Sequence, residues 1–230
     1  MKRAVVLLSG GLDSTTVAAV AKSEGNDLFA LTIDYNQRHR AELEAARRIA
    51  NWLGVSRHFV MPIDLRLFGG SSLTDNFPVP KDTVSEKIGH QIPNTYVPAR
   101  NTIFLSLALA LAETSNASKI YIGISQVDYS GYPDCRPEFL SAFSALANLA
   151  TKTGVENSHS PISIEAPLMM LGKTETIRLG LSLGVDYSLT HTCYDPSSTG
   201  LACGHCESCL LRLNAFAELG IPDPIQYIQR

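Results

Sequence analysis

An apolar run near the start of the chain, Ala4-Val5-Val6-Leu7-Leu8, gives way without a spacer to Ser9-Gly10-Gly11-Leu12-Asp13-Ser14-Thr15-Thr16. A buried strand that ends in two glycines and re-enters as a helix makes a turn shaped for an anion. Gly10 and Gly11 lack a Cβ and tolerate positive φ, so the backbone can wrap closely round a phosphate. A helix opening near Ser14 aims free N–H groups and its positive dipole end at the same point. Ser9, Ser14 and Thr15 add hydroxyl donors, and Asp13 can hold a magnesium ion against the phosphates. A bare Gly-Gly occurs in strand-to-helix turns of many α/β proteins. The full S-G-G-x-D-S string is far more restrictive.

Beyond this turn, strand and helix patterns alternate, which predicts a mostly parallel sheet with helices on both faces, a Rossmann-like α/β fold. Helical periodicity runs from about Asp13 to Glu24, Ala41 to Leu53, Thr102 to Ala112, Pro137 to Thr151, Lys173 to Leu183 and Glu207 to Leu219. Strands are expected at Leu28 to Ile33, Arg57 to Met61, Lys119 to Ile124 and Ile162 to Ala166. The stretch from about Asp64 to Pro98 has no clear periodicity, and a loop that long in a compact domain is usually functional or mobile. The expected organisation is an α/β domain over 1–190 with a small C-terminal segment, 191–230, packed on it. Ligands of such sheets bind at the carboxyl ends of the strands. Ser9, Asp34, Gly123 to Asp128 and Pro167 fall at those ends.

Gly172-Lys173-Thr174 mimics the end of a kinase-type P-loop, but the first glycine of that motif would stand where Pro167 is, so the motif is rejected. Lys173 still opens a helix just beyond a strand, where a lysine is electrostatically disfavoured unless an anion neutralises the site. It is therefore read either as a phosphate ligand or as a solvated surface lysine. Cys193, Cys203, Cys206 and Cys209, spaced C-x9-C-x2-C-x2-C, suit one tetrahedral structural zinc per chain better than disulfides or an iron–sulfur cluster. His191 and His205 lie near enough in sequence to be alternative ligands, though each reads more simply as a loop histidine.

Asp128-Tyr129-Ser130-Gly131-Tyr132-Pro133-Asp134-Cys135-Arg136-Pro137 follows a strand. It is a helix-entry loop with a first-turn proline, or a pocket for a purine-like base. In the second reading Tyr129 and Tyr132 stack, Asp134 accepts from ring N–H groups, Arg136 pairs with a carboxylate and Asp128 stands by as a further acceptor. Cys135 is either a nucleophile or a small buried side chain.

The S-G-G-x-D-S string resembles the pyrophosphate loop of the N-type ATP pyrophosphatases. With Asp34-Tyr35-Asn36-Gln37-Arg38-His39, Val97-Pro98-Ala99-Arg100-Asn101, S-G-Y-P-D-C-R-P and the four cysteines in this order, the chain is similar from about Arg3 to Leu219 to the 7-cyano-7-deazaguanine synthase (QueC) family. The resemblance implies a ligase that uses ATP and ammonia to convert 7-carboxy-7-deazaguanine to the nitrile through adenylated acid and amide intermediates. On that reading Leu8, Ser9, Gly10, Gly11, Leu12, Asp13, Ser14, Thr15, Thr16 and Asp34 contact ATP, with Mg²⁺ at Asp13. Asp13, Lys173 and Arg100 serve the chemistry. Asn101, Asp128, Tyr129, Tyr132, Asp134, Cys135 and Arg136 meet the substrate.

Two other readings compete with it. One is a different adenylating enzyme of the superfamily, for tRNA thiolation or amide synthesis. The other is a non-catalytic nucleotide-binding module stapled by zinc. A net charge of −3 gives no global basic field for RNA or DNA, so no direct nucleic-acid partner is expected. No stretch approaches the roughly 18 apolar residues of a membrane span. The expected setting is the cytoplasm, and a homodimer is compatible with the sequence.

Overall fold

The computed structural model describes residues 2–37, 39–82, 92–128, 131–156 and 161–229. Five strands, β1 (Arg3–Leu7), β2 (Asp27–Asp34), β3 (Arg57–Pro62), β4 (Lys119–Tyr121) and β5 (Ser163–Glu165), form one sheet in the order β3-β2-β1-β4-β5. Every pairing is parallel, with Val5 opposite Phe29 and Ile120. The helices are α1 (Leu12–Ser23), α2 (Ala41–Leu53), α3 (Arg100–Ser115), α4 (Pro137–Ala150), α5 (Lys152–Glu156), α6 (Lys173–Ser182) and α7 (Glu207–Glu218). The chain winds outward from β1 to β3, then crosses back to place β4 on the other side of β1. That reversal opens a crevice between the carboxyl ends of β1 and β4, the position at which open α/β sheets bind ligands.

Side-chain alternation along the central strand explains the two faces. Val5 and Leu7 join Leu105, Ala108 and Leu109 of α3 in one buried cluster, while Ala4, Val6 and Leu8 join Val17 and Ala18 of α1 and Ile49 of α2 in another. Each large aliphatic side chain buried this way contributes about 1.5–3 kcal/mol. A third cluster, with Leu12, Ile177, Tyr187 and Phe216, ties α1 to α6 and α7. The four C-terminal cysteines and Ala202 belong to the same buried cluster as Val5 and Leu7, so the C-terminal segment continues the main core. Arg212 clips it further: its guanidinium donates to both carboxylate oxygens of Asp223, at 2.7 and 2.9 Å, and to Oγ1 of Thr190 at 2.7 Å.

Several boundaries differ from the sequence reading for local reasons. α3 begins two residues earlier, at Arg100, because the Asp134 carboxylate accepts from the backbone N–H of Asn101 at 3.0 Å. The short helix α5 follows α4, opened by Thr151, whose hydroxyl accepts from the N–H of Gly154 at 3.1 Å. A glycine and two threonines mask that turn in the sequence. The aperiodic stretch holds a 3-10 turn at Leu65–Leu67, capped by Asp64, and otherwise packs by burying Leu73, Val79 and Val97. Residues 83–91 lie outside the described part. No helix among the described residues is long and apolar enough to cross a membrane.

Candidate active site

Two glycines shape the crevice. Gly10 sits at φ +90°, and a Cβ there would lie 2.2 Å from the carbonyl oxygen of Glu42, so the turn and the first turn of α2 can touch only through glycine. On the β4 side, a Cβ at Gly123 would lie 2.9 Å from the Ser14 nitrogen. Ser9 and Ser14 knit the turn: their hydroxyl oxygens are 3.0 Å apart, the Gly11 N–H donates to Ser9 Oγ at 3.2 Å, and Ser14 donates to the Gly11 carbonyl. Thr15 and Thr16 point elsewhere. Thr15 donates to the Gly11 carbonyl at 2.7 Å, and Thr16 to the Leu12 carbonyl, with Tyr187 Oη 2.8 Å away.

The turn opens into a cavity lined by Leu8, Ser9, Gly11, Leu12, Asp13 and Ser14 on one side. Arg100, Asn101 and Phe104 from α3, Tyr132 and Cys135 from the loop after β4, and Tyr35, Gln37, His39 and Glu42 around β2 and α2 complete much of the rest. Leu31, Ile33, Leu73, Ile122 and Ile124 make part of it apolar. The shape therefore joins an anion-binding turn to an apolar slot of the kind that takes a planar ring.

Lys173 stands behind the turn. Its ammonium is 2.7 and 2.8 Å from the two oxygens of Asp13 and 3.1 Å from Oδ2 of Asp128. The backbone N–H of Lys173 donates to Asp128 Oδ1 at 3.0 Å, so Asp128 also caps α6. These two carboxylates are what make a lysine acceptable at a helix N-terminus. Burial pushes the Asp128 carboxyl upward; the Lys173 ammonium opposes the shift, and the Asp13 carboxylate adds to it.

Other candidates are placed differently from the sequence expectation. Asp134 and Asp128 have their carboxylates engaged by helix N-termini, at Asn101 and Lys173, and neither lines the cavity. Arg136 is exposed and donates to the Pro133 carbonyl. Asp34 turns back on its own loop, accepting from the Asn36 N–H at 3.2 Å, because strand alternation gives the cavity to Ile33 and Tyr35. Tyr129 lies outside the described residues. Asn101 does reach the cavity, with its side chain donating to the Asp134 carbonyl at 3.1 Å. Burial raises the Cys135 thiol to about 12, so at neutral pH it is a small protonated wall residue.

Glu42 and Thr192 were not singled out from the sequence. Burial raises the Glu42 carboxyl to about 7, partly offset by the Arg100 guanidinium. A carboxylate in the first turn of an amphipathic helix reads as an ordinary dipole partner, so nothing marked it. Thr192 was hidden between a histidine and a cysteine that drew attention to metal binding.

The four cysteine Sγ atoms lie within 4.8 Å of one another, and all four residues are buried. Ligands about 2.3 Å from a tetrahedral zinc stand about 3.8 Å apart, so the set need close by only about an ångström. Backbone N–H groups of Asp195 and Cys203 point at Cys193 Sγ, and those of His205 and Cys206 at Cys203 Sγ, which suits thiolates. Hydrogen bonds from Cys193 and Cys209 pull the Cys206 thiol well below the usual thiol range. These residues could hold a metal ion, and zinc fits the donor set. His205 pairs instead with Asp82 at 2.8 Å, and His191, though buried, is not among the residues whose ligand atoms converge there. The cluster adjoins the phosphate turn: the His191 N–H donates to the Gly10 carbonyl at 2.9 Å, and Ser208 donates to the Thr192 carbonyl at 2.8 Å.

A family model described as queuosine biosynthesis protein QueC matches residues 3–220. The chain is 60% identical over 227 residues to a 7-cyano-7-deazaguanine synthase of Desulfatibacillum aliphaticivorans, covering 99% of this chain and 97% of that one. It is 56% identical to the enzyme of that name from Myxococcus xanthus, covering 100% and 99%. Among solved structures, NMN synthetase from Francisella tularensis aligns with a TM-score of 0.52 at 18% identity, covering 96% of this chain and 78% of that one. A predicted subunit of a tRNA methyltransferase from Methanocaldococcus jannaschii aligns at 0.50 and 18%, covering 100% and 93%. Those two likenesses concern the fold alone.

Proposed function

The chain belongs to the QueC family, and we propose from that premise that it makes 7-cyano-7-deazaguanine from 7-carboxy-7-deazaguanine, ammonia and ATP. The single observation that carries the reading is the cavity itself. It joins the Ser9–Ser14 turn, with the Asp13–Lys173 pair behind it, to an apolar slot walled by Tyr35, Phe104 and Tyr132.

A carboxylate is a poor acceptor for ammonia, so one of its oxygens first attacks the α-phosphorus of ATP and pyrophosphate leaves. Ammonia then attacks the acyl carbon, AMP departs with that oxygen, and the released proton goes to solvent or a cavity base. The amide oxygen attacks a second ATP in the same way, and loss of AMP with the two amide protons leaves the nitrile. Backbone N–H groups at the start of α1 and the Lys173 ammonium would offset charge on the departing pyrophosphate. Arg100 is the cavity's guanidinium for the substrate carboxylate or the α-phosphate. Tyr132 and Phe104 offer faces for the deazapurine.

Asp13 and Asp128 place two carboxylates round one ammonium, which leaves the group short of positive charge. Asp13 lines the cavity and would hold Mg²⁺, whose charge would weaken the bond to the leaving pyrophosphate. Zinc in the cysteine cluster would be structural, because four thiolates leave no open position.

The test is product stoichiometry. Incubation with the acid, ammonium and ATP should yield the nitrile by mass spectrometry with two pyrophosphates and two AMP per nitrile. ADP and inorganic phosphate as the products would reject the reading.

A further inference from the structure

Asp128 is a buried carboxylate that does not line the cavity. It meets Asp13 and Lys173, which come from two other elements, the first turn of α1 and the first position of α6. Of the three, Asp13 alone lines the cavity, and 19% of its side chain is exposed, against 7% for Lys173 and 6% for Asp128. Whatever Asp128 does for the site, it does by way of its neighbours.

Its own position is set by the loop that carries it. Ser125 Oγ accepts from the backbone N–H groups of Val127 and Asp128, at 3.1 and 3.2 Å, and donates to the Leu171 carbonyl at 2.8 Å. The Gln126 N–H donates to the Met169 carbonyl at 3.0 Å, so the loop after β4 is tied at two points to the segment entering α6. From that base Asp128 grips Lys173 at both ends. Its Oδ1 accepts from the lysine's backbone N–H at 3.0 Å, and its Oδ2 stands 3.1 Å from the ammonium. A lysine stem is flexible, and closing it into this loop fixes where the charge sits. The ammonium then meets both Asp13 oxygens, at 2.7 and 2.8 Å. Asp13 stands second in α1, where a carboxylate is drawn to the N–H groups of its own first turn. A lysine that engages both oxygens competes with that pull.

We propose that, in the ATP chemistry on which this reading rests, Asp128 is a positioning residue: it anchors the Lys173 ammonium, which in turn fixes the Asp13 carboxylate at the cavity wall. Asp128 belongs on this account to the support of the phosphate turn, and the substrate base does not touch it.

The experiment is a double-mutant cycle on the metal-loaded full chain. Asp128→Asn keeps an acceptor for the Lys173 N–H and removes only the charge. Asp128→Ser, which keeps a capping hydroxyl, is the second variant should the first not fold. Lys173→Met and the Asp128→Asn/Lys173→Met pair complete the cycle. Pyrophosphate release at saturating ATP, counted per folded chain by circular dichroism, gives kcat and the KM for the acid. Asp128→Asn should lower kcat about tenfold, the scale of losing an outer partner of a site residue. The KM for the acid should stay within about threefold of the parent, because Asp128 does not line the cavity. In the Lys173→Met background the same substitution should change kcat by less than about threefold, because the residue it acts through is gone. A second tenfold loss there would show Asp128 acting on its own and overturn the relay. A tenfold rise in the KM for the acid would return Asp128 to the substrate and overturn it too. A lowered melting temperature with a parent-like kcat per folded chain would reduce Asp128 to a structural role. A parent that releases no pyrophosphate with the acid, ammonium and ATP overturns the ATP reading, and this inference with it.

Discussion

Two segments face each other across the carboxyl ends of the strands, the phosphate turn from Ser9 to Thr16 and the loop from Gly131 to Arg136. Both are dense in polar residues, yet they spend them differently. In the first, the side chains of Ser9 and Ser14 serve to hold the backbone in shape. In the second, the polar side chains are consumed by helix entry. Asp134 caps α3 and Arg136 binds the Pro133 carbonyl, so the cavity receives only Tyr132 and Cys135. A motif that works through backbone geometry can be located from its glycines. One that works through side chains cannot be assigned until each side chain's competing bonds are known.

The contrast can be broken by substitution. The largest effect should come from the turn's ionic support. Asp13→Asn and Lys173→Met should each lower kcat by about a hundredfold or more, the scale of losing one preorganised charge partner. Pyrophosphate release measures the rate, and circular dichroism checks the fold. A rate within threefold of the parent would remove the residue from the chemistry.

Asp134→Ala should show the reverse pattern. Losing the acceptor for the Asn101 N–H should destabilise the protein by about 1–2 kcal/mol, as lost helix caps do, while the affinity for the deazaguanine acid stays within about threefold. Denaturant melts and titration with the acid decide it. A tenfold loss of affinity at unchanged stability would return Asp134 to the substrate edge.

Glu42 lies where the turn meets α2 and gives a pH-dependent difference. Its carboxyl is raised to about 7 by burial, so its neutral form is favoured in the folded chain. That contribution is complete below the ordinary carboxylate value and is lost as the pH rises through about 7. Glu42→Gln should therefore gain melting temperature over the parent as the pH goes from 5 to 8, by about 2–4 °C for each ~1 kcal/mol. A difference that stays flat would show Glu42 to be solvated. The smallest effect belongs to Arg136→Ala, which should change stability by less than about 0.5 kcal/mol and leave turnover unchanged.

Most helices and strands are legible because hydrophobic period and side-chain alternation are local; α5, with its glycine and threonines, is not. α2 was read to the residue, since Leu43, Ala46, Ile49 and Ala50 mark one face and Gly54 closes it at φ 61°. The crossover that puts β4 beside β1 was not local and could only be inferred from the alternation. The site divided in the same way. The phosphate turn and the four cysteines announced themselves by spacing. Glu42 and Thr192 reach the cavity through tertiary packing of α2 and the cysteine-bearing segment, which no sequence period records. The bond between Asp128 and Lys173 spans 45 residues, so no local spacing announces it.

The central claim, that oxygen of the acid is activated on the phosphate turn, can be followed by isotope. The acid labelled with ¹⁸O in both carboxylate positions is converted with ammonium and ATP in ordinary water, and the AMP is weighed by mass spectrometry. Attack by the carboxylate and then by the amide oxygen moves one label into each AMP, so every AMP formed during nitrile synthesis should carry a single ¹⁸O. Unlabelled AMP accompanying nitrile would contradict the account.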